Sequence, residues 1–152
     1  ETSIELLIPD MKGKEDLIDI IINEEPEVLN HNIETVPRLY KDLMPQCNYE
    51  LSLGLLDYVK KQKPHMKTKT GLIVGLGESK EEVIETLKDL RKVDCDIVTI
   101  GQYLQPTLNH WEIDRYVEPA EFKEYEKIGY DLGFKKVIAG PLVRSSYKAE
   151  NF

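Results

Sequence analysis

The sequence predicts an α/β fold on a mainly parallel sheet, and three observations carry that prediction. Short apolar runs alternate with longer segments of helical periodicity, which is the pattern of βα units. The turns that follow these runs are polar or glycine-rich, as at the strand ends where α/β proteins bind ligands. The 152 residues, 41% apolar and 32% charged, suffice for one core without disulfide or metal staples.

Residues 4–8 read as a strand, stopped by Pro9-Asp10. Gly13 ends that turn, and Leu17, Ile18, Ile20, Ile21 and Ile22 supply the apolar side of a helix over 14–23. After Pro26, Val28-Leu29-Asn30 is a second strand leading into His31-Asn32-Ile33-Glu34, and Thr35 caps a short helix with Pro37 near its start. Leu51, Leu55, Leu56 and Val59 mark a helix over 49–61 that ends before Pro64. A third strand spans 67–74. Beyond Gly75-Leu76-Gly77-Glu78, Ser79-Lys80-Glu81-Glu82 has the form of a capping box, opening a helix that turns Val83, Ile84, Leu87 and Leu90 inward. A fourth strand over 96–100 runs into a long loop through Pro106, Asn109 and Trp111. Pro119 opens a helix with Phe122, Tyr125, Ile128 and Tyr130 on its buried side and Gly133 as its stop. Residues 136–139 form a last short strand before a polar tail. Residues 1–152 read as one unit with no internal boundary. Four or five parallel strands fit a doubly wound sheet or an arc of a barrel, and periodicity leaves both open.

Twenty Lys and Arg against 28 Asp and Glu give a net charge of −8. A chain this acidic lacks the counterion-release driving force of general nucleic-acid binding. No stretch approaches the roughly 18–20 apolar residues of a membrane span. Cys47 and Cys95 form neither a CxxC pair nor a disulfide framework, which favours a reducing, cytoplasmic home and buried structural thiols. GxGxxG, P-loop and GxSxG patterns are absent. The chain begins on what reads as a strand already under way, so the expectation is a piece of a longer protein.

If the strands are parallel, four turns share one rim: Pro9-Asp10, Asn30 to Glu34, Gly75 to Glu78, and Gly101 to Pro106. Asn30, Asn32 and Glu34 alternate along an extended backbone and project together, while His31 and Ile33 project the other way. Two amides and a carboxylate suit the hydroxyls of a ribose or an ammonium group. The competing reading is that they cap the next helix. Gly71, Gly75 and Gly77 leave room for a close backbone or flat ring, or simply permit a tight turn. Arg144-Ser145-Ser146-Tyr147 follows a rigid Gly140-Pro141, as if aimed back across the rim.

Together these motifs resemble the lipoyl synthases, a family of radical S-adenosylmethionine (SAM) enzymes. The resemblance runs through Ile8-Pro9-Asp10-Met11-Lys12-Gly13 and through Val28-Leu29-Asn30-His31-Asn32-Ile33-Glu34-Thr35-Val36-Pro37-Arg38-Leu39-Tyr40. It continues in Thr68-Lys69-Thr70-Gly71-Leu72-Ile73-Val74-Gly75-Leu76-Gly77-Glu78, Thr99-Ile100-Gly101-Gln102-Tyr103-Leu104-Gln105-Pro106, and Gly140-Pro141-Leu142-Val143-Arg144-Ser145-Ser146-Tyr147-Lys148-Ala149. Five motifs in the family's order make it specific. Departures fall at Met44-Pro45-Gln46-Cys47-Asn48 and at Lys148.

The resemblance implies part of a (β/α)6 partial TIM-type barrel, strands three to six plus the C-terminal tail. It implies SAM as cofactor, contacted by Asn30, Asn32, Glu34, Gly75, Gly77, Glu78, Tyr103 and Leu104. It makes Ser145 an oxygen ligand to an auxiliary cluster, with Arg144 beside it. The family's two 4Fe–4S clusters rest on cysteine motifs that this chain does not contain, so the chain alone should be inactive. Implied partners are an octanoylated lipoyl carrier domain or H protein and the N-terminal part of the same enzyme. A bare edge strand near Ile4 also invites self-association. Alternatives are another radical SAM sulfur-insertion enzyme and a cluster-free binding module. The implied location is cytoplasmic, or mitochondrial in a eukaryote.

Overall fold

A computed structural model describes residues 3–146. Five strands alternate with five helices: β1 (Glu5–Leu7), α1 (Glu15–Asn23), β2 (Val28–Asn30), α2 (Pro37–Leu43), α3 (Tyr49–Gln62), β3 (Lys67–Val74), α4 (Lys80–Lys92), β4 (Ile97–Gln102), α5 (Pro119–Asp131) and β5 (Lys136–Gly140). The strands form one sheet in the order β1-β2-β3-β4-β5, and every neighbouring pair is parallel. This order decides between the two architectures left open by periodicity. A doubly wound sheet reverses its strand order at a switch point, whereas successive right-handed crossovers without reversal put every helix on one face. The sheet is a barrel arc, with four strands answering to strands three to six and β5 leading into the tail.

The register divides the strands into two sets. Leu29, Leu72, Val74, Val98, Ile100 and Val137 face the helices and join Ile18, Ile22, Leu56, Val59, Val83, Leu87, Leu90, Phe122 and Tyr125 in one buried apolar cluster. Leu56 and Val59 have no solvent exposure, and truncating such a leucine to alanine costs roughly 2–5 kcal/mol. The opposite, inner face carries Glu5, Asn30, Lys69, Gly71, Ile73, Thr99 and Gly101 in matching register.

Local chemistry accounts for most boundaries. Ser79 accepts from Glu82 N–H at 3.2 Å and Glu82 accepts from Ser79 N–H at 2.8 Å, completing the expected capping box. Asn48 caps α3 through Leu51 N–H at 3.0 Å. Thr35 does not cap α2: the cap is Val36, which has no side-chain bond, and Pro37 supplies the helical φ instead. Gly101 and Gln102, expected in a turn, extend β4 because their partners in β3 and β5 continue the ladder.

Two helix faces differ from expectation. On α1 only Ile18 and Ile22 are buried, whereas Ile20 is 64% exposed, and on α5 Tyr130 is 48% exposed while Gly129 is buried. Each helix packs on a single sheet face, so its buried stripe is narrower than its apolar content. Cys95 is buried, as expected, and burial pushes its thiol up to about 12. Cys47 is exposed instead, because it follows the α2 C-terminus in a surface turn. Among the described residues no helix is long and apolar enough to cross a membrane. Glu1, Tyr147 and Lys148 lie outside the described residues.

Candidate functional site

The inner face is stratified along the strands. At its base Lys69 Nζ donates to both Glu5 carboxylate oxygens at 2.9 and 2.8 Å, and Asn30 Nδ2 donates to Glu5 Oε1 at 2.9 Å. Burial lowers the Lys69 pKa from its ordinary value, and the adjacent Glu5 offsets part of that shift. Asn30 therefore belongs to a buried ionic cluster that braces β1, β2 and β3. It sits one layer below the mouth.

Above this layer the chain after β2 departs from ordinary strand geometry. His31 N–H still bonds Lys69 O at 3.0 Å, but Ile33 N–H turns to the Thr70 hydroxyl at 2.9 Å. Glu34 rejoins β3 with a left-handed φ of 63° through Glu34 N–H to Gly71 O and Ile73 N–H to Glu34 O. The extended alternation expected for Asn30, Asn32 and Glu34 thus ends in an irregular segment. Its outcome is that Asn32 and Glu34, without Asn30, reach the mouth. His31 is directed elsewhere: Nδ1–H donates to Ile8 O at 2.9 Å, and burial lowers its pKa, so the ring is neutral.

A cavity of about 320 Å³ opens at this mouth, lined by Asn32, Glu34, Tyr103, Leu104, Arg144 and Ser145 together with the inward positions of β3 and β4. Its volume falls within the range of small-ligand sites. Two features mark it as built for a polar guest. Asn32 Oδ1 is buried and has no hydrogen-bond partner among the described residues. An acceptor in that state costs roughly 1–3 kcal/mol unless a ligand or water satisfies it. Burial raises the Glu34 carboxyl above its ordinary range, and the neighbouring Asn32 side chain offsets part of the rise. A cation or hydroxyl donor brought next to both would be favoured by each.

The glycine-rich turn after β3 behaves differently. Glu78 accepts from Gly75 N–H at 2.7 Å and from Leu76 N–H at 2.9 Å, so both its oxygens are engaged within the turn. Arg38 donates to Gly77 O at 2.8 Å while pairing with Glu82 at 2.7 Å. Gly75 and Gly77 adopt φ of 94° and 106°, the left-handed region that glycine enters without strain. A Cβ at Gly75 would meet the Gln102 side-chain amide and, at 2.6 Å, Arg115 O, so the close approach expected there is made by β4 and the β4–α5 loop together. Asp114 N–H and Trp111 Nε1–H fasten that loop to Gly75 O and Leu76 O, each at 3.0 Å. Gly75, Gly77 and Glu78 lie outside the 320 Å³ cavity.

Of the ten residues to which the resemblance assigns a contact, six line this cavity and four do not, and Gly71 lines it as well. Thr99 and Gly101 also line the cavity, Gly101 having been placed only in a rim turn and Thr99 given no role. Period-two alternation from Ile97 along β4 was the signal that could have placed both on the inner face. Among the described residues, no group of three or more His, Cys, Asp and Glu side chains could hold a metal ion. The donor set present does not by itself fit an iron–sulfur cluster, which needs several converging thiolates.

The chain is 55% identical over 148 residues to the lipoyl synthase of Caldanaerobacter subterraneus subsp. tengcongensis, covering 97% of this chain and 52% of that protein. The lipoyl synthase of Karelsulcia muelleri is 54% identical over 147 residues, covering 97% and 51%, and that of Idiomarina loihiensis is 53% identical over 148 residues, covering 97% and 46%. The chain thus spans about half the length of the curated relatives it matches. Residues 1–90, which hold β1 to β3 and the Asn32–Glu34 segment, match the radical SAM superfamily, and the chain belongs to it.

Proposed function

We propose that this chain is one half of a lipoyl synthase, the part that contacts SAM and substrate. The observation that carries the reading is the convergence of Asn32, Glu34, Tyr103, Leu104, Arg144 and Ser145 on one cavity, in a chain 55% identical to a lipoyl synthase. The whole enzyme would insert two sulfur atoms into an octanoyl chain amide-linked to a lysine of a lipoyl carrier domain or H protein. SAM, when bound and given one electron by a 4Fe–4S cluster, would release methionine and supply a 5′-deoxyadenosyl radical able to abstract hydrogen from an unactivated carbon.

The chain's own residues bind and orient. The unpartnered Oδ1 of Asn32 accepts from a ribose hydroxyl or from the ammonium group of the methionine portion, and Glu34 balances its positive charge. Tyr103 and Leu104 wall the apolar side. A primary alkyl radical attacks any C–H bond within reach, so selectivity rests on holding the acyl chain in fixed geometry. The cysteine thiolates of both 4Fe–4S clusters would come from the other half of the enzyme, and Ser145 would add an oxygen ligand to the auxiliary one. An oxygen ligand is harder and more easily displaced from iron than a thiolate. Such an enzyme belongs in a reducing compartment such as the cytoplasm. Until the other half covers it, the edge of β1, with Ile4 53% and Leu7 57% exposed, invites self-association.

The test is Ser145→Ala in the intact gene product. Cleavage of SAM to 5′-deoxyadenosine should persist while lipoyl formation is lost. Unchanged lipoyl formation would remove Ser145 from the ligand role.

A further inference from the structure

The last described residues turn back over the inner face of the sheet. After β5, Val143 N–H donates to Gly140 O at 3.1 Å, closing a turn that reverses the chain. Val143 is buried, and Arg144 Nη1 donates to Val143 O at 2.7 Å and to Gln102 O at 3.4 Å, on the last residue of β4. Ser145 arrives beside Gly71 on β3. Residues 143–145 thus form a strap from β5 across β4 to β3, and the strap is one wall of the 320 Å³ cavity.

Under this strap lies Gly101. A Cβ placed there would fall on the Val143 carbonyl oxygen, with the Val143 carbonyl carbon at 3.2 Å and Arg144 Nη1 at 3.3 Å as its next neighbours. All three atoms belong to the strap, and two are backbone that cannot rotate aside. Gly101 occupies ordinary β4 strand, hydrogen-bonded in register with Ile73 and Gly140, where other residue types fit the backbone well. Only the close approach of the strap demands glycine at this position. At Gly71 the demand is milder, since a Cβ would meet Asn32 Oδ1 at 2.8 Å and Ser145 Cβ at 3.4 Å.

We propose that Gly101 is a positioning residue for Ser145: its missing side chain seats the Val143 carbonyl against β4, and this sets how far the serine reaches over the cavity. The functional part of the inference rests on the reading of Ser145 given above. The seating itself does not. Gly101→Ala therefore lifts the strap, whereas Gly54, whose added Cβ would meet nothing within 4 Å, is the control.

The experiment is a mutant cycle in the intact gene product. Gly101→Ala is combined with a chain truncated after Gly140, and melting temperature and hydrogen exchange of the 141–146 peptide are measured. Gly101→Ala should lower the melting temperature of the untruncated protein and speed exchange of that peptide by about tenfold or more, while Gly54→Ala does neither. In the truncated protein the same substitution should cost nothing, because every atom it strikes is gone. An equal loss with and without the strap would overturn the proposal, as would unchanged exchange of the peptide. If Gly101→Ala cannot be purified untruncated but can be truncated, the proposal is upheld; failure in both forms overturns it. Positioning further requires the ratio of 5′-deoxyadenosine to lipoyl product to rise in Gly101→Ala, which a loss of fold alone would not produce. Should Ser145→Ala leave lipoyl formation intact while Gly101→Ala still frees the strap, the ligand reading fails and the seating stands.

Discussion

The turn after β2 and the turn after β3 are similar in composition and opposite in state. Both follow a parallel strand, and both carry a glutamate and residues that tolerate left-handed backbone. After β3, Glu78 spends its two oxygens on Gly75 and Leu76 N–H, Arg38 covers Gly77 O, and the β4–α5 loop seals what remains. After β2, Asn32 Oδ1 is buried without a partner and the Glu34 carboxyl is raised by burial. The turn after β3 is internally satisfied. The turn after β2 leaves the Asn32 oxygen without a partner at the cavity. Polarity of a turn thus says little about function; the fate of each donor and acceptor says much more.

The contrast breaks first at Glu78. Glu78→Ala strips two buried N–H groups of a charged acceptor, and we expect a loss of about 3 kcal/mol in a denaturant titration. A loss below about 1 kcal/mol would place Glu78 outside the structural role. Asn32→Ala should do the reverse. Stability should change by no more than about 1 kcal/mol, because the unpartnered oxygen is removed together with the side-chain bond to Glu34, while SAM affinity measured by calorimetry falls by about tenfold or more.

A smaller effect sits behind the closed turn, where Arg115, whose carbonyl meets Gly75, pairs with Glu121 at 2.6 Å. That hydrogen bond, first among the causes, lowers the Glu121 pKa to about 2. Its folded pKa is below the unfolded one, so the stability it adds is present above the ordinary carboxylate range and lost as pH falls toward 2. Glu121→Gln should cost about 1 kcal/mol at neutral pH and almost nothing at the acid end, read from chemical melts at several pH values. The smallest effect, opposite in sign, belongs to Glu34. Its folded pKa is raised, so the stability it contributes exists below the ordinary carboxylate range and disappears as pH rises. Glu34→Gln should therefore be more stable than the parent by under about 1 kcal/mol at neutral pH, with the gap closing on acidification. A constant gap across pH would mean that Glu34 is not buried as charge.

Much of the fold was legible because local signals and tertiary demands coincide. The Ser79 capping box, Pro37 and Pro119 at helix starts and the β-branched run of β3 each point to the element they form. The lining of the candidate cavity was legible in part. Asn32, Glu34, Tyr103, Leu104, Arg144 and Ser145 were picked out and do converge. Asn30, Gly75, Gly77 and Glu78 looked equally apt in composition, yet Asn30 lies below the mouth with its Nδ2 on Glu5, Glu78 is taken by the Gly75 and Leu76 N–H groups, and Arg38 covers Gly77 O.

The sequence by itself determined the succession of strands and helices and the family motifs, since capping, periodicity and turn chemistry act between residues a few positions apart. Only the tertiary structure decided that the strands lie in unbroken order, that Glu5 reaches Lys69, and that residue 143 comes to rest on residue 101. These depend on distances between remote parts of the chain, which no local preference encodes. Packing settles them.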